Sequence, residues 1–124
     1  MKEGIVLFIT CLIMSAVSAQ SELTTALGSG NVAGISAHFG SKVELTIDGR
    51  EAHISKLDAE VRLKEFYSTH QAKGFKAVHS GNSKSNESNY TIGELLTDKG
   101  NYRVYIYFTS EGGQRIVAEL RIEK

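Results

Sequence analysis

The chain has 124 residues, of which 14 are basic and 14 acidic, so its formal net charge is zero. This length fits one domain. Lysine and arginine are dispersed and form no basic stripe, which makes nucleic acid and anionic membrane surfaces poor partners. The one cysteine, Cys11, lies in an N-terminal segment that we predict is removed. The mature domain is therefore expected to have no disulfide and to depend on its core alone.

The first residues have the layout of a secretory signal peptide. Lys2 precedes an almost wholly apolar run over 5–14, and Val17-Ser18-Ala19 is a cleavage site of small residues. The apolar run is too short for a membrane span, so no stable membrane insertion of the mature chain is expected. We predict that residues 1–19 are removed, and that residues 20–124 form one domain in the periplasm or outside the cell.

Three helices are predicted in the first half of the mature chain. Residues 21–27 form a short helix that Gly28-Ser29-Gly30 interrupts; the glycine spacing fits no phosphate-binding loop. Asn31 then suits the N-cap of a second helix, whose apolar residues follow the i, i+3, i+4, i+7 pattern as far as Phe39. A third helix is expected after Ser55, which resembles the first residue of a capping box.

Strands dominate the second half. Before the third helix, Asp48-Gly49 predicts a two-residue hairpin turn that sets Leu45 opposite Ala52. Four further strands alternate in polarity; they are predicted over 75–81, 90–97, 102–108 and 115–122. This order favours an α+β fold with a curved, antiparallel-rich mixed sheet of about six strands packed on three helices. A curled sheet covered on one side by helices leaves a cone in which a ligand can lie.

The last hairpin leaves two registers open. A two-residue turn at Gly112-Gly113 sets Tyr105 opposite Leu120. The strand face that carries Tyr105 then joins the aliphatic face of the last strand, and the two together resemble the lining of a pocket. A three-residue loop sets Tyr105 opposite Glu119 and turns the same face outward. Because side chains alternate with a period of two, one residue of slip exchanges the two faces.

Three candidate ligand-binding residues carry an imidazole or a carboxylate. His79 is in phase with Phe75 and Ala77, which predicts that it faces the cone as an anchor or a general base. A core histidine held by one hydrogen bond is the competing interpretation. His38 lies at the edge of the buried stripe of the second helix, and Glu94 is the strand acid whose phase lets it face inward.

Arg103, Tyr105 and Tyr107 form a second group of candidates, because they share one face of a strand. The guanidinium can hold a carboxylate or a phosphate through a bidentate fork, with a tyrosine hydroxyl beside it. The competing interpretation is cross-strand pairing on an outer face, with Arg103 near Glu119 or Glu123.

No catalytic or metal motif is recognisable, so no catalytic residue, no metal and no cofactor are predicted. The four histidines lack zinc-ligand spacing. The paired acids used by a ketosteroid isomerase are also missing, since Asp48, Asp58 and Asp98 all lie at turns or a helix cap.

The order of the elements resembles the cone-shaped fold shared by ketosteroid isomerase, nuclear transport factor 2 and the cystatin-like proteins. More narrowly, the chain is similar to a family of small secreted bacterial proteins of unknown function with that fold. The resemblance is carried by Ser29-Gly30-Asn31, Phe75-Lys76 with His79, Gly81 and Ser83, Tyr90-Thr91-Ile92-Gly93, Arg103-Val104-Tyr105 and Leu120-Arg121-Ile122-Glu123. The wider fold hosts isomerases, dehydratases and binding proteins, so the resemblance implies a fold and no activity.

Three functions follow from these patterns. The first, which we favour, is a non-catalytic secreted module that holds a small molecule in the cone. The second is an isomerase- or dehydratase-type enzyme with His79 or Glu94 as its base. The third is a protein-interaction or homodimerising module that uses the sheet face.

Overall fold

The computed structural model describes residues 19–82 and 89–124. The predicted signal peptide lies outside these residues except for Ala19. None of the described helices is long and apolar enough to cross a membrane. The helices are α1 (Ala19–Ser29), α2 (Val32–Ser36) and α3 (Lys56–Thr69); the strands are β1 (Phe39–Ile47), β2 (Arg50–Ser55), β3 (Ala72–Asn82), β4 (Asn89–Thr97), β5 (Gly100–Glu111) and β6 (Gln114–Glu123).

The six described strands form one sheet in the order β2-β1-β6-β5-β4-β3. Strands β1 and β6 run parallel, and the other neighbours are antiparallel. The three helices cover one side of this open sheet. The α+β class, the mixed six-stranded sheet and the three helices predicted from the sequence are thereby confirmed.

Local signals position the helices and the first hairpin as predicted. The Asn31 side chain accepts a hydrogen bond from the Gly34 amide at 3.2 Å, and the Ser55 hydroxyl accepts one from the Asp58 amide at 3.2 Å. Both are N-cap bonds that satisfy a free amide of the first turn. Asp48-Gly49 has positive φ at both residues (50° and 84°), as a tight hairpin turn requires.

Helix α2 is shorter than predicted. The apolar spacing predicted helix as far as Phe39, but α2 ends at Ser36, and Phe39 instead begins β1. The reason is tertiary: the Val117 amide of β6 donates to the His38 carbonyl at 2.7 Å, and β1 then pairs with β6. Phe39 is still buried, so the apolar spacing identified a core residue within the wrong element.

The core lies between the helices and one face of the sheet. Helix α1 approaches β3 closely: a Cβ at Gly28 would lie 2.8 Å from the Phe75 amide nitrogen, so glycine is required there. Helix α3 is tied to α1 by the Tyr67 hydroxyl, which donates to the Leu27 carbonyl at 2.8 Å. The fully buried side chains include Leu23, Leu27, Ile35, Leu45, Leu63, Leu95, Ile106, Leu120 and Ile122.

A β-bulge in β3 reverses the orientation of His79. Ala77 pairs with Gly93, but His79 pairs with Ile92, so Val78 is the extra residue. Without the bulge, His79 would follow the inward phase of Ala77. With it, His79 joins the face of Ile92, away from the helices. The predicted inward orientation of His79 is therefore wrong.

A second bulge, at Ala118, decides the register of the last hairpin. The turn is the two-residue one, because Glu111 pairs with Gln114 across Gly112-Gly113. Beyond the bulge, however, Tyr105 pairs with Arg121, which neither predicted register contains. The extra residue sets Ile106 opposite Leu120 and so brings Leu120 to the buried face of the sheet. Tyr105 lies on the other face because it alternates with the buried Val104 and Ile106 of β5.

Candidate functional site

Five of the six predicted site residues lie on the side of the sheet away from the helices, which we call the outer face. They alternate with buried residues of β4 and β5, or follow the bulge of β3. The five are His79, Glu94, Arg103, Tyr105 and Tyr107. Glu94, whose phase left an inward orientation open, thus faces outward, and neither of the two registers left open for Tyr105 occurs. A ligand role for these residues stays a prediction.

Several polar groups of the outer face have partners on their own strand or on the adjacent one. Arg121 Nη2 lies 3.2 Å from Glu119 Oε2, and Arg121 Nε lies 3.8 Å from Glu123 Oε2. His79 Nε2 lies 3.1 Å from the Tyr90 hydroxyl. Arg121 and both glutamates belong to β6, where alternate residues share a face, and the His79–Tyr90 contact joins β3 and β4. The cross-strand pair of Arg103 with Glu119 or Glu123 that the competing interpretation expected is not among the salt bridges of residues 19–82 and 89–124.

The outer face also has a shallow, mostly apolar groove of about 260 Å³. Its tyrosines are among the large side chains that the fold leaves open to solvent; Tyr90 is 36% exposed and Tyr107 44%. The groove is lined by Tyr90, Thr91, Ile92, Tyr105, Ile106, Tyr107, Glu119 and Arg121.

His38, the sixth predicted residue, is separate from the other five. It follows α2 and borders a surface depression between α1 and α2, together with Glu22 and Asn31. Its backbone carbonyl accepts the bond from Val117 described above. The structure therefore does not bring His38 together with the outer-face residues.

A different set of residues surrounds a cleft of about 420 Å³ at the open end of the cone, which we call the mouth cleft. Its size lies in the range of small-molecule sites. One wall is the β1–β2 hairpin and the other is α3. The lining residues are Leu45, Ile47, Asp48, Arg50, Arg62, Glu65, Phe66 and His70.

Backbone bonds hold the hairpin wall in place. The Asp48 amide donates to the Ile122 carbonyl of β6 at 2.9 Å, which ties the turn to the end of the sheet. On the other wall, Arg62 and Glu65 lie one turn apart on α3, the helix that Ser55 caps. Between the walls, Phe66 is only 5% exposed and contributes the apolar floor.

His70 lines the mouth cleft, and its ring is held by aromatic neighbours. It stacks on Phe66 with 4.2 Å between ring centroids and 6° between planes, and meets Tyr102 edge-on at 5.3 Å. Its Nδ1 lies 2.9 Å from both the Phe66 carbonyl oxygen and the Thr69 hydroxyl oxygen. In the tautomer that donates to the carbonyl, Nδ1 carries the proton and Nε2 keeps its lone pair.

The environment of the buried Tyr102, whose ring meets that of His70, shifts the pKa of its hydroxyl. Burial raises the pKa of the Tyr102 hydroxyl above its ordinary value, and the nearby Asp48 carboxylate raises that pKa further. Both causes favour the neutral form. Tyr102 thus stays a hydrogen-bonding hydroxyl at neutral pH.

The charged groups of the mouth cleft differ from those of the outer face. Within residues 19–82 and 89–124, no salt bridge within 4.0 Å involves Asp48, Arg50, Arg62 or Glu65. Two guanidinium groups and two carboxylates, none of them in a salt bridge among the described residues, therefore line an apolar floor beside the His70 imidazole. Such an arrangement can hold a small polar molecule by charge-assisted hydrogen bonds.

The sequence interpretation placed Asp48 at a turn and His70 in the buried stripe of α3, and considered neither as a site residue. One signal was present: His70 follows Phe66 by four residues at the end of an apolar helix stripe, where ring stacking and a polar edge are both available. The position of Arg50 opposite α3 had no local signal, because it depends on how the hairpin packs.

The order of helices and strands defines an α+β fold of the cystatin-like and nuclear-transport-factor-2-like class. A Nostoc punctiforme protein of unknown function with a cystatin-like fold has a TM-score of 0.64 at 15% identity, over 85% of this chain and 84% of that chain. An NTF2 design with a long sheet has a TM-score of 0.67 at 10% identity, over 84% and 95%. At these identities the likeness concerns the fold alone.

Within this class, residues 20–123 match the domain of unknown function DUF4783, and the chain belongs to that family. The crystal structure of a DUF4783 family protein from Bacteroides ovatus has 31% identity and a TM-score of 0.79, over 84% of this chain and 93% of that chain. No curated protein matches the chain. The predicted resemblance to a family of unknown function with the cone-shaped fold is confirmed.

Proposed function

We propose that this protein is a binding module whose small-molecule ligand occupies the mouth cleft. One observation carries the proposal: four charged side chains without a salt bridge in the described part of the chain surround a cleft of about 420 Å³ with an apolar floor. An apolar surface with a few convergent polar groups is the usual composition of a ligand site.

The geometry of His70 supports the same proposal. Its ring is held between Phe66 and Tyr102, and its Nδ1–H is engaged by a backbone carbonyl. The remaining nitrogen, Nε2, is then a hydrogen-bond acceptor on a residue that lines the mouth cleft. A fixed acceptor loses little conformational entropy when it binds, which favours affinity for a small ligand.

The test is to identify a ligand and map its contacts. Native mass spectrometry of the protein purified from its source detects a co-purified molecule, and ¹H–¹⁵N spectra of the full chain then locate it. We expect shifts at Phe66 and His70, and a loss of affinity of about tenfold in Arg62→Leu. The matched control is Tyr107→Ser on the outer face, which should bind unchanged. A ligand that shifts only outer-face signals would overturn the proposal.

The proposed site of action is outside the cytoplasm. The support is the sequence alone: a charged start, an apolar run over 5–14 and small residues before Gln20. Fractionation of the source cells, with mass determination of the mature N-terminus, tests this. A protein that starts at Gln20 in the periplasm or medium is expected; an uncleaved chain in the cytoplasm would contradict it.

A second candidate function is homodimerisation through the outer face. Tyr107 protrudes beside a groove of about 260 Å³ that Tyr90 and Tyr105 border, so one copy offers both an aromatic side chain and a space for one. A two-fold interface requires only one such self-complementary patch. Sedimentation equilibrium should show a dimer that Tyr107→Glu dissociates. A wild-type monomer at millimolar concentration would exclude this interface.

A further inference from the structure

Each wall of the mouth cleft carries one acid and one arginine. The hairpin wall has Asp48 and Arg50, and the α3 wall has Arg62 and Glu65. The four formal charges cancel. The mouth cleft therefore offers an anion-binding and a cation-binding group on either side of the same floor.

These charged groups do not form salt bridges with one another in the described part of the chain. Arg62 and Glu65 are three residues apart on a helix, a spacing at which a salt bridge forms readily. Yet within the described ranges they make none within 4.0 Å, whereas Arg121 on the outer face contacts two glutamates. The unpaired charges of the mouth cleft are available to a ligand that has both signs.

Charge complementarity selects among the ligand classes. A simple anion would be attracted by the two guanidinium groups but repelled by the two carboxylates. A simple cation would be attracted by the carboxylates but repelled by the guanidinium groups. A zwitterion places its carboxylate against an arginine and its ammonium against Asp48 or Glu65, so that neither sign is left facing a like charge. A bidentate guanidinium fork suits a carboxylate in particular.

The floor adds a second requirement. Leu45, Ile47 and Phe66 line the mouth cleft together with the charged groups, and the His70 ring stacks on Phe66, so part of the lining is aliphatic and aromatic. The ligand body that gains from this surface is itself apolar. His70 Nε2 can in addition accept a hydrogen bond from an ammonium group.

From these features we infer that the mouth cleft binds a small zwitterion, with an amine and a carboxylate carried on an apolar body, such as an amino acid with an apolar side chain. The inference rests on the proposed function, since it names the ligand class of the same site.

Three probes with one phenyl body separate the contributions of charge: phenylalanine, 3-phenylpropionate and phenethylamine. Each is titrated into the ¹⁵N-labelled full chain and followed at Phe66 and His70. We expect phenylalanine to bind at least about tenfold more tightly than either singly charged probe, since it gains one further charge-assisted contact.

Variants at two exposed residues test which side chain binds the carboxylate of the ligand and which binds its ammonium group. Arg62→Leu should weaken phenylalanine about tenfold without weakening phenethylamine, and Glu65→Gln should weaken phenylalanine without weakening 3-phenylpropionate, since each change removes a charge that repels the singly charged probe. Arg121→Leu on the outer face is the control and should alter none of the three affinities. The ¹H–¹⁵N spectra of the free variants report whether each still has the wild-type fold.

Two outcomes would overturn the inference. If 3-phenylpropionate or phenethylamine binds as tightly as phenylalanine, one sign of charge plays no part and the ligand is not a zwitterion; the mouth cleft remains a ligand site. If none of the probes shifts Phe66 or His70 at millimolar concentration, the zwitterion class is excluded, and the proposed function is then decided separately by the search for a co-purified molecule.

Discussion

Arg121 on the outer face forms salt bridges, whereas the charged side chains of the mouth cleft form none among the described residues. On the outer face, Arg121 lies between Glu119 and Glu123, and His79 meets Tyr90. At the mouth, Arg50 and the charged residues of α3 make no salt bridge among the residues described. Both regions are rich in polar residues, so composition alone does not distinguish them.

The cause of the difference is geometric. On the outer face, alternate residues of one strand and neighbouring residues of the next strand lie side by side, as Glu119, Arg121 and Glu123 do along β6 and His79 and Tyr90 do between β3 and β4. The walls of the mouth cleft belong to a hairpin and a helix with the cleft between them, so their polar groups line a space. The comparison teaches that a polar residue on a strand face is a weaker site candidate than one at the edge where two elements separate.

The largest effect is expected at the floor of the mouth cleft. Phe66→Ala removes a buried ring that contacts Tyr67, His70 and Tyr102, and should lower the free energy of unfolding by about 3–5 kcal/mol. Tyr107→Ala on the outer face should change it by no more than about 0.5 kcal/mol. Urea denaturation measures both. Equal losses would mean that the two regions are not different in packing.

Deletion of Ala118 tests the bulge that sets the register of β6 against β5. Parallel pairing of β1 with Leu120 and Ile122 holds the later part of β6, so the part before the bulge must slip. Val117 then leaves its place opposite Phe108, at a cost of about 1.5–3 kcal/mol for one buried aliphatic side chain.

The control for the deletion is Ala118→Ser, which keeps the residue count and should be nearly neutral in the same urea experiment. A deletion variant as stable as the wild type would show that the register of the last hairpin does not depend on the bulge.

Alkaline pH separates buried from exposed tyrosines. Burial raises the pKa of Tyr67 above 10.0, and burial together with the Asp48 carboxylate raises that of Tyr102. Above pH 10 the unfolded chain loses these protons first, so the folded state binds more protons and its stability falls. The loss is at most about 1.4 kcal/mol per pH unit for each tyrosine. Below pH 9 the two tyrosines should contribute no pH dependence.

Urea midpoints between pH 7 and pH 11 measure this slope. Tyr67→Phe should flatten it, although it also loses the bond to the Leu27 carbonyl and is less stable at pH 7. The exposed Tyr107→Phe serves as the control and should leave the slope unchanged. An unaltered slope in Tyr67→Phe would contradict the assignment.

The cap of α3 supports one wall of the mouth cleft. Ser55→Ala removes the hydroxyl that accepts from the Asp58 amide, and should destabilise the protein by about 1 kcal/mol. Ser55→Asp retains an acceptor at the N-cap and should be close to the wild type. Thermal unfolding followed by circular dichroism distinguishes the two; no difference between them would show that the cap bond is dispensable.

The smallest expected changes in stability are those of two arginine variants, one from each region. Arg121→Leu loses partly exposed salt bridges and should cost about 0.2–1 kcal/mol, less at high salt. Arg62→Leu loses no salt bridge of the described structure and should be neutral for stability while weakening ligand binding. A larger stability loss in Arg62→Leu than in Arg121→Leu would reverse the comparison between the two regions.

Local patterns predicted most of the fold. The alternation of residues, the Asp48-Gly49 turn and the Ser55 cap each involve contacts within a few residues, and the pairing of Leu45 with Ala52 follows from the turn alone. By contrast, α2 was predicted too long, because its end depends on a bond between His38 and Val117 that are far apart in the sequence.

The candidate site was predicted poorly for the same reason. His79 was assigned a face by counting residues along its strand, and the two registers left open for Tyr105 came from counting across the hairpin; one inserted residue changes either count. The sequence at each bulge contains no turn residue that would have predicted an inserted residue. The mouth cleft combines a hairpin and a helix that the sequence predicted separately but did not bring together.

By itself, the sequence determined the elements, their caps and turns, and the apolar face of each strand, since these depend on steric and hydrogen-bonding preferences of nearby residues. Only the tertiary structure decided which polar side chains share a site. The bulge at Ala118 leaves one residue of the ladder unpaired, and the burial of Leu120 against Ile106 and Leu45 compensates for it. That balance involves three strands at once, and no stretch of the chain contains it.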